Sequence, residues 1–247
     1  MNIAVVIAVS LVAGLAYLSR RMTGDSQLER PIVVGPIVGI LMGDPSTGLI
    51  CGATLELVFM GAQAIGGAVP PNVAVAASVG TAIAIASGFG VEAALMVAVP
   101  AAMFSALFEL IAKSVTAFFA HGVDRAADKD SSKGIAINVH MGNALHFLSY
   151  FIPAFIALLS QDVVASIIAN MPANVENGFD VMGKILPVLG FGLLLNRLST
   201  KKMMPYFFIG FVIAAYVPAI GIMGVSILGT AFAILYATST RKSDGLN

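Results

Sequence analysis

Charge is what this sequence has least of. Only 11% of its 247 residues are Asp, Glu, Lys or Arg, where an ordinary soluble domain carries about 25%. Thirteen basic residues balance thirteen acidic ones, which removes the electrostatic case for a nucleic-acid partner. Cysteine is almost absent too. The single Cys51 lies in an apolar stretch, so it forms no internal disulfide and offers no cysteine pair to a metal; it reads as a small buried residue. There is no G-x-x-x-x-G-K-[ST], H-E-x-x-H or G-x-S-x-G segment, and no Cys/His cluster. The chain therefore has no phosphate-cradling loop and no recognisable catalytic or metal motif, and no cofactor is expected. His121 opens a hydrophilic stretch, and His140 and His146 are six apart, a spacing that does not put them on one helix face as a metal pair. No basic residue precedes the first apolar run, Met1 to Ser19, and Arg20 and Arg21 follow it. A cleaved signal peptide has the opposite order, so this run is expected to stay as a membrane helix.

What the chain has instead is apolar surface. Hydrophobic residues make up 58% before its 25 glycines are counted, against about 45–50% with glycine in a typical soluble domain. Too few polar groups remain to cover a surface facing water, and lipid takes its place. The fold class expected is all-α, a polytopic integral membrane protein. Apolar segments run over 2–19, 32–69, 73–88, 90–119, 135–159, 181–196, 203–220 and 221–239, where a full span needs about 20 residues. The 32–69 stretch is interrupted by Pro36, Asp44, Pro45 and Glu56. Broken backbone at membrane depth is tolerated only where protein covers it or it lines a cavity, and such segments point to a binding site. The organisation expected is a single membrane domain, 1–247, with broken, re-entrant hairpins in its N-terminal half (32–90), a loop at 121–134 and a polar tail at 240–247. The basic clusters Arg125/Lys129/Lys133, Arg197/Lys201/Lys202 and Arg241/Lys242 are each separated by two segments. They fall on one side, assigned to the cytoplasm.

The segment 35–72 carries the densest pattern. Gly35, Gly39 and Gly43 recur every four residues and clear a helix face for close approach. Asp44-Pro45 combines a favoured N-cap with a favoured first helical residue, so a new helix starts there. Gly48, Gly52 and Glu56 continue at steps of four from Asp44. At 1.5 Å per residue, Glu56 lies roughly 18 Å along from Asp44, near mid-bilayer if Asp44 is at an interface. An acidic residue there costs about 2.5–3.5 kcal/mol to insert and ordinarily marks a cavity or a pathway. Gly48 and Gly52 would leave room for a ligand beside the carboxylate. Gln63 and Gly66-Gly67 lead to Pro70-Pro71, which end any helix, and Asn72 would cap the next helix at about 73–87 while presenting an amide to a ligand. Against these readings stand structural ones: Glu56 as a neutral buried acid bonded to a neighbouring helix, Gln63 as interhelical glue, Asn72 and Asp44 as caps alone. His140, among polar residues at the start of a membrane segment, is a further candidate for the cavity.

The run PIVVGPIVGILMGDPSTGLICGATLELVFMGAQAIGGAVPPNVAVA resembles the N-terminal core of the IIC subunit of the mannose/fructose/sorbose family of the bacterial sugar phosphotransferase system. The KILPVLGFGLLLNRLSTKKMMPYFFIGFVIAAY segment, the HGVDRAAD stretch and the INVH segment resemble it in the same order, across essentially the whole chain. The most specific pattern is G-D-x-x-T-G-x-x-x-G-x-x-L-E, at Gly43, Asp44, Thr47, Gly48, Gly52, Leu55 and Glu56. The resemblance implies a multi-pass protein of the bacterial inner membrane that binds and translocates a sugar without carrying the phosphoryl group. It implies a IID membrane subunit as partner, a trimer of IIC–IID heterodimers, and soluble IIA and IIB phosphocarriers, with IIB phosphorylating the sugar. With a sugar as the ligand, Glu56 and Gln63 would bond its hydroxyls with Asn72 helping, Gly48, Gly52, Gly66 and Gly67 would make room, and His140 would stand nearby. Many relatives have Pro-Asp where this chain has Pro71-Asn72, and a bulky residue with an asparagine where it has Ala62-Gln63-Ala64. These departures leave mannose, fructose, sorbose and amino sugars all open. Two other readings of the residues are an ion-coupled secondary transporter in which Glu56 titrates, and a membrane scaffold or receptor subunit whose polar hairpin serves assembly.

Overall fold

A computed structural model describes residues 1–62, 69–162, 166, 173–200 and 202–243. Its nine α-helices among the described residues fall into two compact units, Met1–Leu194 and Leu195–Asn247.

The first unit opens with α1 (Ile3–Met22), capped by the Asn2 side chain, which accepts from Ala4 N at 3.1 Å. Arg20 and Arg21 occupy its last turn, where cations complement the helix dipole. After a polar connector, α2 (Pro31–Met42) begins with proline at its first position and ends at Gly43, whose φ of 83° is left-handed, a conformation glycine enters without steric cost. Asp44 then starts α3 (Pro45–Phe59) as expected: it accepts from Thr47 N at 3.0 Å and from the Thr47 hydroxyl at 2.6 Å, and Pro45 follows it. The glycines at steps of four explain how two short helices lie so close. A Cβ on Gly35 would come within 2.6 Å of Gly52 Cα, and one on Gly48 within 2.6 Å of Gly39 Cα. No real side chain fits in that gap, so backbone meets backbone.

The centre of the unit is α4 (Val73–Ser87). Every residue from Ala74 to Ala84 on it is buried, and its small side chains let α1, α2, α3, α5 and α6 all pack on it. A helix apolar all round is an interior helix. Its bounds agree with the expected 73–87. The last two helices of the core are long: α5 (Gly90–Ala127, 38 residues) and α6 (Ser132–Leu159, 28 residues), about 57 and 42 Å at 1.5 Å per residue. Here the sequence reading needs correcting. The hydrophilic stretch at 121–134, expected as a loop, is mostly helix; only Asp128 to Ser131 turn the chain, with Asp130 at φ 49°. Polar composition marks where a helix leaves an apolar environment, and the strong helix formers Arg125, Ala126 and Ala127 sustain the helix beyond it. The helix α7 (Ala173–Leu198) brings Gly190 against the last turn of α3, where an added Cβ would collide with Leu57 O.

The second unit holds α8 (Met204–Tyr216), a 3₁₀ turn at Pro218–Ile220 and α9 (Gly221–Ser243). Tyr206 and Tyr236 meet edge to face at 5.9 Å, and α8 buries no residue.

The protein is all-α and membrane-embedded. Four helical stretches among the described residues are long and apolar enough to cross a bilayer: Ile3–Met22, Gly90–Ala127, Ser132–Leu159 and Pro218–Thr238. The helices α2, α3 and α4 have only 12, 15 and 15 residues, short of the roughly 20 that a span requires, so the N-terminal half is built of broken hairpins.

Candidate functional site

Polar side chains that are scattered in sequence gather in the first unit around a cavity of about 170 Å³. Tyr17 and Arg20 come from α1, and Gln27, Glu29 and Arg30 from the connector to α2. Ala62 and Pro70, Pro71 and Asn72 come from the stretch between α3 and α4, Val73 from the start of α4, Glu109 and Lys113 from α5, and Tyr150 from α6. The connector is shaped to do this. Gln27 adopts a left-handed φ of 58°, uncommon for a residue with a Cβ and concentrated at functional sites. Arg30 N donates to Gln27 O at 3.1 Å, closing the turn.

Each of the three described cations at the cavity has a carboxylate beside it. Arg20 Nη1 donates to Glu29 Oε1 at 2.7 Å, and its Nε lies 3.2 Å from Asp25 Oδ1. Lys113 Nζ lies 2.9 Å from Glu109 Oε1, one turn away on α5. Arg30 is paired with Glu56, to which its Nε donates at 2.8 Å and its Nη2 donates as well. Burial pushes the Glu29 carboxyl above its ordinary value, against the pull of the Arg20 guanidinium. Buried charges persist only when they are paired and hydrogen-bonded in this way. The remaining valences are also used. Tyr150 OH donates to Glu109 Oε2 at 3.0 Å, while its ring stacks on Tyr17 at 3.8 Å. The charges at the wall are thus compensated, and the wall exposes both donors and acceptors. Such a lining suits an uncharged ligand rich in hydroxyls.

The residues singled out from the sequence fall in different places. Asn72 lines the cavity, 3% exposed. It also caps α4, accepting from Val75 N at 3.2 Å, while its amide donates to Ser105 Oγ at 2.9 Å. Glu56 does not line the cavity; it stands behind Arg30, and its Oε2 accepts from Ile32 N at 3.3 Å at the start of α2. Gly52 does not make room for a ligand. The space is taken by α2, since an added Cβ would lie 2.6 Å from Pro31 O. His140 is exposed on α6 and takes no part in the cavity. The expectation that placed it there overlooked helix phase: it is His146, six residues on, that turns inward, 1% exposed, with Nε2 3.2 Å from Thr116 Oγ1. Gln63, Gly66 and Gly67 lie outside the described residues.

Sequence reasoning missed Tyr17, Arg20, Gln27, Glu29, Arg30, Glu109, Lys113 and Tyr150. For two of them a signal was present. Glu109 and Lys113 form an i,i+4 pair inside the apolar run 90–119, and ionisable residues in such a run mark function by default. Among the described residues no three His, Cys, Asp or Glu side chains gather as a metal shell.

Comparison with known proteins gives a consistent picture. A family model described as the sorbose-specific IIC component of the phosphotransferase system matches residues 3–235. The mannose-specific EIIC component of Escherichia coli strain K12 is 31% identical over 245 residues, covering 98% of this chain and 90% of that one. A solved structure described only as a membrane protein superposes with a TM-score of 0.84 at 31% identity, over 98% of this chain and 97% of its own. The mannose transporter ManYZ, solved in complex with microcin E492, matches at TM-score 0.59 and 30% identity, over 98% and 96% of the two chains.

Proposed function

This chain belongs to the sorbose-specific IIC family of phosphotransferase-system permease components, and from that premise we propose that it binds a hexose or amino sugar in the cavity beneath the α1–α2 connector. It carries the sugar inward across the bacterial cytoplasmic membrane, as a multi-pass protein. A IID membrane subunit completes the permease, in a trimer of IIC–IID heterodimers, and IIB, charged by IIA, phosphorylates the sugar as it arrives. The sugar itself stays open among mannose, fructose, sorbose and amino sugars, since the family model is named for sorbose and the relative above for mannose.

The observation that carries this reading is the compensated charge of the cavity. Three cations line a small volume inside a largely apolar chain, paired with Glu29 and Glu109 beside them in the wall and with Glu56 behind it. Paired groups of this kind retain hydrogen-bonding capacity for sugar hydroxyls. In the ion-coupled reading Glu56 would have to be free to take the ion, but it already accepts two Arg30 donors and a helix N–H.

The test uses the assembled permease in membrane vesicles supplied with mannose, fructose, sorbose or glucosamine. Phosphoenolpyruvate and the soluble carriers should produce sugar phosphate for at least one of them. Uptake driven instead by an ion gradient without phosphoenolpyruvate would establish the secondary-transporter reading. Glu29→Gln and Lys113→Met variants that reach the membrane should raise KM for the transported sugar by roughly tenfold or more, the loss of a charge-assisted hydrogen bond. An unchanged KM in both would remove the sugar from this cavity.

A further inference from the structure

We infer that Glu56 is a positioning residue, acting on the sugar only through Arg30, whose guanidinium it aims at the cavity. The inference rests on the reading of that cavity as the sugar site. Arg30 is the N-cap residue of α2 but makes no side-chain cap of its own. Its guanidinium is free to leave the helix end, and it reaches across to Glu56, 26 residues later on α3. The contact is one-sided. Nε and Nη2 both donate to Glu56 Oε1, while Nη1 has no partner among the described residues. A guanidinium is a rigid plane with its donors in a fixed fork. Fixing one edge therefore fixes the other, and the unengaged edge belongs to a residue that lines the cavity.

Glu56 is itself held in place. Its second oxygen, Oε2, accepts from Ile32 N, one of the free N–H groups at the start of α2. The α2–α3 backbone contact at Gly35/Gly52 and Gly39/Gly48 prevents the two helices from sliding apart. The carboxylate thus does in trans what an N-cap does in cis, and the same group orients Arg30. The side chains of Arg30 and Glu56 are 12% and 20% exposed, so water competes little for either. This geometry explains how an acidic residue can sit beside a sugar site without lining it.

The experiment is a KM-against-maximal-rate comparison in the vesicle assay, with whichever of mannose, fructose, sorbose or glucosamine the wild type takes up. Glu56→Gln should raise KM by roughly tenfold and leave the maximal rate within about twofold, the signature of lost substrate binding alone. Glu56→Asp, which keeps the charge, should recover part of the loss. The exchange Arg30→Glu with Glu56→Arg re-forms an ion pair between α2 and α3. It should restore the amount of assembled permease while KM stays raised, because the cavity wall now carries a carboxylate. A purely structural Glu56 predicts the opposite: the exchange would recover KM together with assembly, and that result overturns the inference. Should Glu56→Gln fail to assemble, Arg30→Lys keeps Glu56 on Ile32 N and a positive charge beside it but replaces the rigid fork with a single ammonium; an unchanged KM there also overturns it. Failure of the site reading is separate. In that case Glu29→Gln and Lys113→Met keep a normal KM as well, whereas failure of the positioning role alone leaves those two impaired.

Discussion

Tyr150 shows how single residues carry this cavity. Its ring is stacked on Tyr17 with planes 13° apart, and its hydroxyl donates to Glu109, which is 6% exposed. The two contributions separate by substitution. Tyr150→Phe keeps the stack and leaves Glu109 Oε2 without its donor, which should lower stability by about 1–3 kcal/mol. Tyr150→Leu loses the ring pair too, worth about 0.5–1.5 kcal/mol more. Thermal unfolding of the purified protein would read both, and equal midpoints for the Tyr150→Phe variant and wild type would mean that the hydroxyl bond contributes nothing. The same scale accounts for Asn72. It was expected to cap α4 and to face a ligand, and it stands both at the helix start and at the cavity wall. Its carbonyl oxygen is used by the cap, and its amide has already engaged Ser105.

Among the elements, the α2–α3 hairpin is the most tightly specified. A left-handed Gly43, the Asp44 cap and Pro45 turn the chain in the fewest residues, and the glycine ladder closes the two helices along their length. A methyl group at Gly52 or Gly48 would meet backbone at 2.6 Å, and backbone has no rotamer with which to yield. Gly52→Ala and Gly48→Ala should therefore each destabilise by about 1–3 kcal/mol, as overpacked sites do. Once one methyl has wedged the helices apart, the second finds part of its space already made. The double variant should cost less than the sum of the two, since neighbouring sites couple. Thermal midpoints of the three variants decide this, and strict additivity would show that the hairpin bends locally at each site. Because Glu56 and Arg30 are held across the same interface, these substitutions should also weaken sugar binding.

At the scale of the whole molecule, the basic residues carry a prediction about orientation. Lys129 lies in the turn between α5 and α6, with Arg125 and Lys133 on the helix ends beside it, and Lys202 lies between α7 and α8. By the retention of positive charge on the cytoplasmic side, we propose that each of these segments faces the cytoplasm. Single cysteines introduced at Lys129 and Lys202 should escape a membrane-impermeant maleimide added to intact cells and react in inside-out vesicles. The native Cys51 is fully buried and supplies a silent background. Labelling of either position from outside would reverse the orientation.

Composition alone determined that this chain lives in lipid, since it has too few charges to face water over its whole surface. Local sequence determined the caps and breaks, because their partners sit within a few residues: Asp44 with Thr47, Asn72 with Val75, Gly43 at its left-handed turn. It also marked Glu56 as a residue that something must compensate. What compensates it was decided by the tertiary structure. Arg30 lies 26 positions away and Tyr150 lies 41 from Glu109, distances over which no periodicity constrains a side chain. The glycines that looked like room for a ligand became contact between helices, and the polar stretch that looked like a loop became the end of a helix. A short-range hydrogen bond depends on local backbone geometry, but a cavity drawn from α1, its connector, α5 and α6 exists only once α4 has brought those elements together.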